Sequence, residues 1–181
     1  MKASAADRAA LQKEFDGYRV ELSAAADPSD LVRKSTSLVS YLGVPVKKEA
    51  LPYDIAQRLD SMAVGATSSV IENKNDNTLN IVKLVAKREL PDSIQFRAIQ
   101  VGGANAAEAA TRADSILNAI KAGADFEVVA KKYGQTGEKT WMTTRQYQNA
   151  PSLDKDTKNY IENLNTMATG ELKNLTLAQG N

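Results

Sequence analysis

The 181-residue sequence contains no cysteine and no histidine. The first absence removes disulfides, thiol nucleophiles and thiolate metal sites. The second removes imidazole as base or ligand, and with it any Ser-His-Asp triad. Freedom from cysteine does not fix the redox compartment, because secreted and cytosolic chains alike can do without it. Charge of one sign is also missing. Lys plus Arg number 23 against 22 for Asp plus Glu, which leaves no basic footprint for nucleic acid or an anionic bilayer. No apolar run approaches membrane-spanning length. The opening "MKASAADR" has no apolar stretch of the signal-peptide kind. No cofactor or metal motif is present, so no cofactor, no nucleic acid and no membrane contact by these residues are expected.

What remains is ordinary globular composition, 43% hydrophobic and 25% charged, in a length that allows one or two domains. The informative feature is an internal echo. "LDSMAVG" at residues 59–65 returns as "LNTMATG" at 164–170, and other landmarks return in the same order. A first helix starts at Ser4 with Asp7 and carries Leu11, Phe15, Tyr18 and Leu22 as its stripe. Its counterpart starts at Asn105 with Glu108, carries Ala113, Ile116, Leu117 and Ile120, and stops at Gly123. Gly17 inside the first helix costs about 1 kcal/mol relative to alanine, so a packing reason is expected for it. Short second helices follow, one after Asp27 with Pro28 at its first position, the other after Asp125 with Phe126, Val129, Ala130 and Tyr133 on one face. Then come "VSYLGVPV" and "KTWMTTRQY", each read as a short strand. Third helices bury Ile55, Leu59 and Met62, and Tyr160, Leu164 and Met167. Gly65 and Gly170 end them in the left-handed conformation.

The two copies differ at their ends. After Gly65 the pattern is strand, Asn-Asp-Asn turn, strand, a hairpin. After Gly170 the chain reaches Gly180-Asn181, which aligns with the turn, and no returning strand follows. The second copy begins with a strand, "SIQFRAIQV", that has no counterpart before the first. The expectation is an α+β fold of two tandem units at 1–90 and 91–181. Each is β-α-α-β-α-β-β when whole, and each lacks one terminal strand, as in a fragment of a longer protein. Missing strands leave amides to satisfy, at about 1–3 kcal/mol for each one buried unpaired. Residues 79–85 and 94–101 are therefore expected to pair, or to leave edges that form an edge-strand dimer.

This order of elements resembles the parvulin-type rotamase (peptidyl-prolyl isomerase) family. "FRAIQV" stands in the place of its first strand and "AGADFEVVAKKYG" in that of its "G-x-x-F-x-x-L-A-x-x-Y-S" helix. "GEKTWMT" echoes its "G-G-D-L-G-W" strand, and "LNTMATGELKNLTL" its "L-x-x-G" turn. The resemblance is good over 92–181 and fainter over 5–88. The tandem arrangement is similar to SurA- and PpiD-like foldases of the bacterial envelope, of the Bacteroidetes type. That implies a periplasmic location and unfolded or nascent envelope proteins as partners.

The departures from the family matter more than the matches. Its catalytic surroundings hold two histidines and a middle Asp or Cys. Here the first histidine position falls on Ala98. The second falls on Asn80 in the first copy and beyond the end of the second. "G-G-D" becomes Gly137-Glu138-Lys139. No catalytic residue is assigned. The positions nearest the family's proline pocket are Ala98, Met142, Tyr147 and Leu153, although Trp141 and Met142 read more simply as core. The expected role is binding of unfolded chains without catalysis. The alternatives are an active prolyl isomerase domain and an architectural spacer. Other signals are weak. Glu108 and Asp114 suit capping and surface roles, "VGGAN" a tight turn, "VKLVAKR" an exposed strand side, and Asn174-Leu175-Thr176 is an idle sequon.

Overall fold

The computed structural model describes residues 4–35, 37–73 and 75–178. The Gly180-Asn181 turn expected from the sequence lies outside them. The described residues form six α-helices and two small antiparallel sheets, a mixed architecture compatible with α+β. The chain divides into two compact units. One is Met1–Glu89 with Gln148–Ser152, the other Leu90–Tyr147 with Leu153–Asn181.

In the first unit, α1 (Ala5–Ala24) begins where Ser4 and Asp7 exchange bonds. The Asp7 amide donates to Ser4 Oγ at 3.2 Å, and the Ser4 amide donates to Asp7 Oδ2 at 3.0 Å. Phe15, Tyr18 and Leu22 are half-buried, Leu11 is exposed, and nothing on α1 is fully buried. The packing reason expected for Gly17 is absent: a Cβ there would meet nothing within 4 Å. Pro28 caps α2 (Ser29–Lys34) from just outside rather than opening it, and its side chain is fully buried. The strand expected at "VSYLGVPV" does not form. Gly43 takes φ 72 there and Pro45 offers no amide to a ladder, yet Leu42 is buried. Helix α3 (Tyr53–Leu59) buries Ile55 and Ala56 and ends before Met62.

The hairpin forms as read, with β1 (Ile71–Asn73) antiparallel to β2 (Thr78–Asn80). Asn77 turns it at φ 57, and Asp76 Oδ1 accepts from the Thr78 amide at 3.0 Å. Nearer its base, Thr67 bridges Lys83, one residue out of step with the Ile71–Asn80 pair. That is a bulge. Ser68 absorbs it: its amide donates to the Val82 carbonyl at 2.8 Å and its Oγ accepts from the Val82 amide at 3.0 Å. Val82 and Leu84 point into the core. Lys83 between them points the other way and donates to the carbonyls of Leu22, Ser23 and Ala25 at 2.9, 3.2 and 2.5 Å. A cation there meets the negative end of α1.

In the second unit, β3 (Ser93–Phe96) pairs antiparallel with β4 (Thr140–Thr143). The expected pairing of 79–85 with 94–101 is absent among the described residues. Each strand finds its partner inside its own unit instead, β1 with β2 and β3 with β4. Helix α4 (Ala106–Lys121) is capped by Asn105, α5 (Phe126–Lys131) by Asp125, and α6 (Lys155–Thr166) by Asp154. Ile116, Val129, Ala130, Tyr147, Ile161 and Leu164 form the core. Residues 171–178 join no sheet. Asn174 is tied to α4, its Nδ2 donating to Asp114 Oδ1 at 2.6 Å.

Candidate functional site

The two faces of the β3–β4 sheet differ. Directly opposed residues share a face, and the register sets Ile94 across from Met142 and Phe96 across from Thr140. This face is turned to α6, because the Phe96 and Tyr160 rings meet edge-on with centroids 5.7 Å apart. Met142 is accordingly half-buried. Ala98 lies two residues past the end of β3, outside the ladder, and is exposed. Tyr147 lies just after the 3-10 turn Thr144–Gln146 and is only 6% exposed. Burial raises its hydroxyl pKa. The Asn165 amide works against that rise and the Glu162 charge adds to it. Leu153 is half-buried beside the α6 cap. Of the four positions, the sheet thus holds only Met142, while Ala98 lies beyond its edge and Tyr147 belongs to the core.

The opposite face carries Ser93 and Gln95 across from Thr143 and Trp141. Trp141 is 54% exposed, so the reading of this residue as core is corrected. Its cross-strand partner is Gln95, and its neighbour Met142 takes the inward side. At one end of this face lies α5. Arg97 Nη2 donates to Glu127 Oε1 at 3.2 Å, and its guanidinium lies 5.7 Å from the centre of the Phe126 ring. Sequence reasoning missed this tie, which depends on tertiary packing.

Gly137 explains why the middle strand enters as it does. It takes φ +67, and a Cβ would lie 2.7 Å from Ala130 Cβ and 3.2 Å from Glu127 Cα. Only glycine meets both demands. Just before it, the Gln135 side chain substitutes for a strand. Its Oε1 accepts from the Gln100 amide at 2.9 Å and its Nε2 donates to the Gln100 carbonyl at 2.6 Å. The Glu138 and Lys139 side chains that follow are exposed. Among the described residues no cluster of carboxylates or other ligands suits a metal ion. Burial raises the Tyr160 pKa as well, so both tyrosines of the core are neutral hydroxyls at pH 7. The arrangement supplies apolar and aromatic contact, with no group placed as a base.

A scan against protein-family models matches residues 79–177 to the PPIC-type PPIase domain (Rotamase_3). Searches of curated proteins and of solved structures returned no match. The family match begins in β2, takes in both strands and all three helices of the second unit, and covers more than half of the 181 residues. The chain belongs to the PPIC-type peptidyl-prolyl isomerase (parvulin-like rotamase) family.

Proposed function

We propose that this chain is a client-binding module of a periplasmic foldase, built on a rotamase fold that has lost its catalytic groups. Rotation about an X-Pro bond faces a barrier of about 18–20 kcal/mol. Lowering it takes a pocket that grips proline and a polar network that binds the twisted amide better than the planar one. The observation that carries the proposal is at Ala98. An exposed methyl group stands where the resemblance implies the first catalytic histidine, and the chain has no histidine anywhere. A surface can still hold polypeptide without that network.

We read the first unit as a second, more divergent copy of the same module, in the manner of SurA- and PpiD-like proteins of the Bacteroidetes type. Support comes from the order of elements. The helices of each half come in the order long helix, short helix, 3-10 turn, helix, with β4 added before the turn in the second half only, and each third helix is followed by a glycine of nearly equal φ, +86 at Gly65 and +83 at Gly170. Unfolded envelope proteins are the proposed clients. Calorimetric titration of the chain with a reduced, alkylated protein that cannot refold tests this. Weak, saturable heat is expected. An absence of binding at millimolar client would leave only the spacer reading.

A further inference from the structure

The search for the surface that does the holding leads to the face of the β3–β4 sheet away from α6. Gln95 is exposed and Trp141 is 54% exposed there, and Trp141 is the only tryptophan in the chain. A large, rigid, amphipathic ring left open on a strand is the kind of group that anchors binding. The charge around it is unbalanced. Glu127 answers only Arg97. Lys139 is exposed and forms no ion pair among the described residues. Arg145, also exposed, follows at the far end of the strand. An exposed aromatic ring with an exposed cation before its strand, Lys139, and another in the turn after it, Arg145, complements a segment that pairs an apolar or aromatic side chain with carboxylates.

We propose that the open sheet face centred on Trp141, rather than the face that carries Met142, is where the chain holds client polypeptide, and that it favours extended segments in which acidic residues flank an aromatic or aliphatic one. This rests on the client-binding function proposed above. The single tryptophan makes the site its own reporter. The probe is a short, Trp-free synthetic peptide alternating Glu with Phe and Leu, alongside a twin with every Glu replaced by Lys. The acidic peptide is expected to shift and change the tryptophan emission saturably, and to bind more weakly as salt rises. Trp141→Ala is expected to lower its calorimetric affinity about tenfold or more, the loss typical of a binding anchor. Lys139→Glu, an exposed change that leaves the ring in place, is expected to reverse the preference toward the basic twin. Circular dichroism checks that both variants keep their helices. If the acidic peptide gives heat but leaves emission and the Trp141→Ala affinity unchanged, the site is wrong while the client-binding function stands. Equal binding of the two twins overturns the charge preference. If neither peptide nor an unfolded protein gives heat, both proposals fall together.

Discussion

Gly17 and Gly137 have the same side chain and opposite consequences. Gly17 sits mid-helix with open space around it, so alanine there adds helix propensity and narrows the unfolded ensemble. Gly17→Ala is expected to stabilise the protein by about 0.5–1 kcal/mol in urea unfolding. Gly137 combines a left-handed φ with a Cβ position 2.7 Å from Ala130. Gly137→Ala is expected to cost about 2–4 kcal/mol, from the backbone penalty plus the overlap. Equal effects at the two sites would contradict this reading. Neither outcome is legible in the sequence. Gly17 looks like a position that needs a neighbour, and the neighbour of Gly137 lies on another element.

The tyrosines give a pH dependence at the same scale. Burial raises the pKa of Tyr147 and Tyr160. A free tyrosine ionises near pH 10, so above that value the unfolded chain loses protons that the folded chain keeps. The stability these two groups contribute is therefore constant below about pH 10 and is lost as pH rises through the folded values. Unfolding midpoints measured from pH 8 to 11 check the sign.

At the scale of elements, helix starts depend on carboxylates. The Glu108 pKa is lowered by the Ala104 amide bonded to it and by Arg112, and the Asp154 pKa by its bonds with Thr157. Both groups contribute stability above the ordinary carboxylate range, and it is lost as pH falls through their lowered values. Helical circular dichroism is expected to hold at pH 5 and to decline below about pH 4. Lys83 does the corresponding work at the other end of a helix, fastening the last carbonyls of α1 to the hairpin. Lys83→Met keeps the stem and removes the charge. It is expected to cost about 1–2 kcal/mol, and amide exchange should quicken first in the last turn of α1.

These elements also show what the sequence could tell. The caps at Ser4, Asn105 and Asp125 and the turn at Asn75–Asn77 depend on residues three or four apart, so they were legible. The strand at residues 39–46 failed because an apolar run with an aromatic does not reveal whether a partner strand exists. The ladder of β3 with β4, the Arg97–Glu127 tie and the Lys83 clasp join residues far apart in the chain, and no local pattern encodes them. Trp141 was misread for a related reason: its bulk suggested core, and only the tertiary fold shows which face of the strand is covered.

At the scale of the whole molecule, membership in the PPIC-type family supplies an expectation of catalysis, and the residues supply the reason to doubt it. Ala98 brings no donor, Gly137-Glu138-Lys139 brings an exposed acid, and Tyr147 is sealed in the core. Trp141 stands open on the second unit, as do Val128 and Tyr133. The most direct test is the rate of cis-to-trans conversion of a prolyl peptide, followed with and without the chain. The account predicts a rate indistinguishable from the uncatalysed one, even at chain concentrations where client binding is measurable. A conversion rate that climbs in proportion to the chain added would contradict it.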